Sequence, residues 1–388
     1  MQALTRWSRA VPVALAGLLA AAAAPATWAG ASATAPAAAA HPAGAHAAPA
    51  SYLTEPGRLY HVTGTSWRDI WAVGLMPNSS LIEHWNGHAW SVSYDNPAGY
   101  FYGVAAVTPK DAWAVGGTNW FSPSQNLILR WNGRSWRQVP SPSPSGGGYL
   151  TAVAATSANS AWAVGLIAPG GPGAPGTDVP LIEHWNGRTW YVQRFPHPVN
   201  GGEFGSVAAT SSSNVWAVGE TGSTNPNQAL IEHWNGHKWS EVASHAPAGV
   251  YLQGVTAVST HDAWAVGYTE GPYYHSLILH WNGYRWRVER SPDPTGSTNL
   301  SGVAATSHTN AWAVGYTNPN TCDPNCGAVI FHWNGTEWSV AATPNPPSVY
   351  LNFLGGVFVT SNRNAWAVGT TDWASTLIEH WNGTSWSD

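Results

Sequence analysis

The chain has 388 residues, of which only 9% are charged, against ~25% in an ordinary globular domain. Of its 15 basic residues, Arg6 and Arg9 fall in the leader described next, and 20 acidic residues face the rest. That balance argues against a nucleic-acid partner, which needs a basic stripe, and it leaves Ser, Thr, Asn, Gly and aromatic groups to cover the surface.

Arg6 and Arg9 precede an apolar run from Ala10 to Ala24, and small residues offer cleavage after Ala29, Ala31 or Ala33. The run falls short of the ~20 apolar residues of a membrane span, so residues 1–30 read as a secretory signal peptide rather than an uncleaved anchor. No paired arginines mark a twin-arginine leader. Residues 31–50 are almost wholly Ala, Pro, Gly, Ser, Thr and His, with nothing large to bury, and are expected to be a disordered linker. Folded sequence is expected from 51 to 388, outside the cell and without a later membrane span. In that compartment Cys322 and Cys326, four apart in a predicted loop, are expected to form a local disulfide. A metal site would need two further close ligands.

From there the chain repeats itself. Trp-Ala-Val-Gly begins at Trp71, Trp113, Trp162, Trp216, Trp264, Trp312 and Trp366. Each copy is followed by Trp-Asn-Gly, at Trp85, Trp131, Trp185, Trp234, Trp281, Trp333 and Trp381, and five residues later by Trp90, Trp136, Trp190, Trp239, Trp286, Trp338 or Trp386. The spacings of the first motif are 42, 49, 54, 48, 48 and 54. Units of that length, rich in Val, Thr, Trp and Gly and without helical periodicity, predict an all-β fold: a seven-bladed β-propeller of four-stranded antiparallel blades.

In the fifth copy, strand a is predicted over Leu252 to Val258 and strand b over Ala263 to Gly267. Strand c follows over Leu277 to Trp281, and strand d runs from about Arg285 to Pro292. A short polar residue closes each a–b turn (Asp69, Asp111, Ser160, Asn214, Asp262, Asn310, Asn364), where its side chain can bond nearby backbone. Asn-Gly between strands c and d predicts a two-residue type I′ hairpin. That register sets Trp85 opposite His88 and Glu83 opposite Trp90, with Trp85 and Trp90 diagonal on one face. The tryptophan pairs are expected to wedge between blades. Because the seventh strand d is cut short at Asp388, Ser51 to Pro56 is expected to lie beside it and join the last blade to the first.

The pattern resembles Kelch-type propellers. It is carried by segments such as Ala112-Trp113-Ala114-Val115-Gly116-Gly117, then Leu127 to Trp131, then Trp136 to Pro140, over residues 59–388. Only the second copy keeps a Gly-Gly doublet, and Trp-Asn-Gly stands where that family has another aromatic before its turn. The resemblance implies a galactose-oxidase-central-domain-like fold and leaves activity open, because such propellers host both binding proteins and enzymes.

Chemistry is harder to find. His84, His184, His233, His280, His332 and His380 precede Trp-Asn-Gly, but equivalent positions on different blades cannot converge on one ion. They read as packing and hydrogen-bonding residues. Glu83, Glu183, Glu232 and Glu379 share one strand position and read as solvated or hydrogen-bonded edge groups. No motif for a nucleophile, a metal, a phosphate or a cofactor is present, so no catalytic residue and no cofactor is expected.

Length variation is the better guide. The a–b and c–d turns barely vary and share one face of a propeller, whereas the b–c and d–a connections vary widely on the other, which makes the variable face the expected site. The residues before each strand a should ring the channel mouth there: Arg58, Tyr100, Tyr149, Glu203, Tyr251, Asn299 and Phe353. Trp120 and Phe121, Tyr273 and Tyr274, and Asp372 with Trp373 lie in the b–c loops. Rings beside polar groups suit sugars and protein hot spots, or pin their own loops. The expected function is a secreted, monomeric, non-enzymatic protein recognising an extracellular glycan or protein. The alternative is a polysaccharide hydrolase or lyase, which clustering of Glu203, Glu220, Glu270 or Asp372 at the mouth would favour.

Overall fold

A computed structural model describes residues 56–388 apart from 98, 120–123, 143, 145, 169–177, 197, 199–200, 223–225, 272, 295, 318–326 and 347–350. Trp120, Phe121, Cys322 and Cys326 therefore lie outside the described residues, as do the signal peptide, the linker and Ser51 to Glu55. The fold is all-β: seven sheets, each of four antiparallel strands in chain order. In the first blade these are Arg58–Ser66, Asp69–Met76, Ser79–Trp85 and Trp90–Asn96. Each strand a packs on the strands a of both neighbouring blades, and the seventh blade meets the first, so the ring is closed. At the seam Pro56 bridges to Ser375, and the Gly57 N–H donates to the Ala374 carbonyl at 2.9 Å. Among the described residues no helix is long and apolar enough to cross a membrane.

The repeat is a device for joining blades. The strand-b tryptophan of each blade is fully buried against two tryptophans of the next, one from strand c and one from strand d. Trp71 lies 5.1 Å from Trp131 and 5.2 Å from Trp136, the latter edge-to-face. The same triad recurs at every boundary and closes with Trp366 on Trp85 and Trp90. On its other side the strand-b ring carries the histidine of its own blade, stacked at 3.9 Å for Trp71 and His84. In five blades that histidine bonds the residue closing the a–b turn, as in His84 Nε2 to Asp69 Oδ1 at 2.8 Å and His233 Nε2 to Asn214 Oδ1 at 2.8 Å. In the third blade His184 Nδ1 bonds the Tyr191 hydroxyl instead, at 2.7 Å. In the second blade Arg130 takes the same place, over Trp113 at 4.6 Å and forked onto Asp111. The histidines are thus packing and hydrogen-bonding residues.

Two expectations are overturned. The c–d connection is a four-residue loop, so Trp85 pairs directly with Trp90 and Glu83 with Val92. Asn86 does not supply a positive φ. Its Oδ1 instead accepts from the N–H groups of His88 and Ala89, at 2.9 and 3.1 Å, and only Gly87 takes the left-handed region, at φ 90°. Strand d is correspondingly later and shorter than expected, Trp286–Glu289 in the fifth blade. Nor are the strand-c glutamates solvated: Glu83, Glu183, Glu232 and Glu379 are all buried between blades. Glu183 is satisfied by Asn126 and Ser141 of the preceding blade. No hydrogen bond from a described residue reaches either oxygen of Glu232 or Glu379, and burial pushes both carboxyls up to about 8.

A carboxyl raised from 4.5 to about 8 on folding keeps a proton that the unfolded chain has lost. Its contribution therefore falls away as pH rises through that window and is full below it. Glu232→Gln should raise neutral-pH stability by about 1–3 kcal/mol and flatten its decline between those pH values, as read from urea midpoints. Trp264→Ala should cost about 3–5 kcal/mol by the same measurement, because it empties the centre of a triad.

Candidate functional site

The mouth of the channel is shaped by a close approach inside each blade. A Cβ on the glycine of Trp-Ala-Val-Gly would collide with the carbonyl oxygen of the mouth residue across from it: Gly74 with Arg58, Gly116 with Tyr100, Gly219 with Glu203, Gly267 with Tyr251. Only glycine permits that approach. One step further in, strand a carries a β-bulge in every blade, at Tyr60, Tyr102, Thr151, Gly205, Gln253, Ser301 and Gly355. All seven line the central cavity of about 100 Å³. Bulges re-aim the chain, and here they turn one residue per blade toward the axis, with a side chain in five blades and glycine (Gly205, Gly355) in two. The cavity has room for a few waters, so a ligand of any size must sit at the mouth.

Arg58, Tyr100, Tyr149, Glu203, Tyr251, Asn299 and Phe353 all lie at the variable end of the ring, as the first or second residue of strand a rather than before it. Five of them are buried. The ring is therefore less an open funnel than a packed collar, with Arg58 and Glu203 left partly exposed. Tyr60, Tyr100, Tyr102 and Tyr149 pack together, with centroids 5.1 Å apart for Tyr60 and Tyr102 and 5.6 Å for Tyr102 and Tyr149. Tyr251 stacks on Tyr268 at 4.8 Å, and Tyr274 reaches Tyr268 at 4.9 Å. Tyr316, Phe353 and Trp373 continue the collar at 5.4 and 5.6 Å. Tyr273 projects beside it, 54% exposed.

Charge is placed at two sides of this collar. In the first blade the Arg58 Nε donates to the Trp373 carbonyl at 3.0 Å, and the guanidinium lies 4.9 Å from the Trp373 ring centre. In the fourth blade, three blades away, Glu203 and Glu220 face each other across strands a and b and share a hydrogen bond. Burial pushes both carboxyls up, and each is raised further by neighbouring negative charge: Asp178 beside Glu203, and Glu203 with Asp178 beside Glu220. Burial lifts Asp178 to about 6. The pair thus keeps a proton into the neutral range. Burial, and then Glu203, hold the Tyr149 hydroxyl well above its usual range, so it remains a donor.

Of the four acids considered from sequence, the structure brings together only Glu203 and Glu220. Glu270 accepts from the Tyr251 hydroxyl at 3.2 Å. Asp372 accepts from the Leu351 N–H at 3.1 Å, in a turn where it and Trp373 both take positive φ, 54° and 58°. Sequence reasoning missed Tyr60, Tyr102, Tyr268, Tyr316 and Asp178. The bulged residues stand eleven positions before the strand-b tryptophan in every copy, changing identity after a constant Leu or Phe, and that signal was readable. Tyr268 and Tyr316 follow Trp-Ala-Val-Gly directly. Asp178 sits just before a strand c, at the end of the longest b–c loop, and carries no such mark.

Asp178→Asn removes a charge that raises both glutamates, so their apparent titration should move down in pH. Carboxyl ¹³C shifts across a pH series would show it, and an unmoved pair would separate Asp178 from the cluster.

No family model matches this chain, and no curated protein is similar to it in sequence. Solved structures are similar over most of its length. YCF48 bound to D1 peptide matches with a TM-score of 0.54 and 16% identity, over 85% of this chain and 94% of that one. The GH74 xyloglucanase from Xanthomonas campestris matches with a TM-score of 0.60 and 13% identity, over 86% of this chain and 53% of that one. A streptogramin B lyase matches with a TM-score of 0.56 and 14% identity, over 85% and 95%. At these identities the likeness shows the propeller fold.

Proposed function

We propose that this chain is a non-enzymatic recognition protein that binds an extracellular carbohydrate or protein segment at the collar on its variable face. One observation carries the reading. Three groups of packed rings, with Arg58, Glu203, Asp178, Tyr274 and Trp373 partly accessible among them, surround a single rim. A ligand there would meet aromatic faces, a cation and a proton-holding carboxyl pair together, the mixture that stacks and orients sugars or peptide side chains. Trp373 adds a second support, since a bulky residue at positive φ is held at a cost and such strain gathers at binding sites. In the same reading residues 1–30 are a signal peptide, 31–50 a tether and 51–388 the propeller. The protein is a secreted monomer, Cys322 and Cys326 are bridged, and the repeat is of the Kelch-like kind.

The second reading is a polysaccharide hydrolase or lyase, favoured by the raised Glu203–Glu220 pair. It ranks second on geometry. Carboxyls that cleave a glycosidic bond from two sides stand ~5–9.5 Å apart, whereas these two bond each other. One similar structure holds a peptide and another is a xyloglucanase, which supports the two classes equally.

The test is a glycan and polysaccharide array with residues 51–388, followed by immobilised peptides. Trp373→Gly, which tolerates the positive φ, and Tyr274→Ala should each weaken binding about tenfold with little change in melting temperature. Trp120→Ala probes the b–c segment of the second repeat. Polysaccharide turnover by the unaltered protein that is lost in Glu203→Gln would overturn the non-enzymatic reading.

A further inference from the structure

The face opposite the collar carries a charge pattern the overall composition conceals. It is formed by the a–b and c–d turns, which touch: the c–d glycine of each blade lies against the a–b turn, as Gly87 on Arg68 and Gly383 on Arg363. The a–b turns present Arg68, Lys110 and Arg363, all exposed. The c–d turns present Arg134, Arg188, Lys238 and Arg285, also exposed, and His88 and His237 beside them. These are seven of the basic residues of a chain that is acidic overall. The only exposed carboxylate in those turns is Glu337. Asp69, Asp111 and Asp262, which close three of the a–b turns, are turned inward onto His84, Arg130 and His280.

The same face holds two exposed aromatic side chains. Tyr284, in a c–d turn, is 88% exposed, and Trp67, in an a–b turn, is 43% exposed with the Arg68 guanidinium 4.3 Å from its ring centre. Neither ring is needed by the fold as the triad tryptophans are. Because every blade ends in turns of the same length, the charges and rings lie around one rim instead of converging on a pocket. A small anion needs convergent donors, and a polyanion needs a track. A rim of dispersed cations with amphipathic rings among them matches an extended, negatively charged interface, where basic groups meet headgroup charge and Trp and Tyr sit at the boundary of water and hydrocarbon.

We infer that this constant face docks peripherally on an anionic lipid bilayer, leaving the aromatic collar turned away from it. Lys110, Arg134, Arg188 and their counterparts supply attraction that salt screens, over a range of ~10 Å at moderate ionic strength. Trp67 and Tyr284 enter the headgroup layer. The inference is independent of what the collar binds, because it uses the other face.

The test is co-sedimentation of residues 51–388, which contain the whole closed ring, with vesicles of phosphatidylcholine with and without phosphatidylglycerol. Binding is expected to the anionic vesicles alone and to fall as salt rises. Lys110→Ser with Arg134→Ser should weaken it about tenfold or more. Arg194→Ser with Arg290→Ser removes the same charge from residues outside these turns and should change it less than about twofold. Trp67→Ser with Tyr284→Ser should weaken binding while leaving the melting temperature in place. Equal loss from both arginine and lysine pairs, equal binding to neutral vesicles, or no sedimentation would overturn the inference. Binding to soluble dextran sulfate without vesicle binding would overturn it too, and would assign the face to a polyanion.

Discussion

Everything in this molecule depends on one contact repeated seven times: an indole from strand b of one blade packed against two indoles of the next, tilted on that of strand c and edge-to-face with that of strand d. Edge-to-face geometry satisfies the ring quadrupoles without any ordinary hydrogen bond to the strand-b indole. The contact is mechanical as well as energetic. A blade with two apolar faces has no stable life alone, and each triad covers one face of two neighbours at once. In every blade but the third, the histidine on the far side of the strand-b ring, or Arg130 in its stead, then ties that ring to the a–b turn of its own blade. Turn, blade and boundary are thus one linked unit.

The same tight assembly makes the site. Strands a and b approach so closely near the variable end that only glycine fits opposite the mouth residue, and the bulge beyond it turns one residue per blade to the axis. The scaffold therefore fixes seven positions at the axis while leaving their identities free. Tyr60 and Tyr102 fill one side of the channel, while Gly205, Ser301 and Gly355 leave the other side open. Asymmetry of identity on a symmetric frame is what turns a channel into a collar with distinct walls.

Charge follows a comparable division. Glu232 and Glu379 between blades, and the Glu203–Glu220–Asp178 cluster at the fourth-blade rim, sit where burial makes the neutral form the comfortable one. Seven exposed cations lie instead in the turns of the constant face. Net charge, summed over the chain, hides both features because it averages opposite faces of a ring.

The period, the tryptophans and the Val- and Thr-rich strands were enough to determine seven four-stranded blades, because a repeat that cannot bury both its faces alone has few ways to do so in company. Loop lengths marked one face as variable, and Arg58, Tyr100, Tyr149, Glu203, Tyr251, Asn299 and Phe353, expected just before strand a, open that strand as its first or second residue. The hairpin register was misread because Asn86 works through its side-chain oxygen rather than through its backbone angle, and the letters Asn-Gly do not distinguish those uses. Glu83 and its equivalents were misplaced because alternation along one strand does not reveal that the next blade covers both faces. The approach of Asp178 to the Glu203–Glu220 pair, and the gathering of cations on the opposite rim, were decided by tertiary structure. The two glutamates meet across strands a and b of one blade, Asp178 comes from the blade before, and only the packing of blades into a ring fixes which residues of different blades become neighbours.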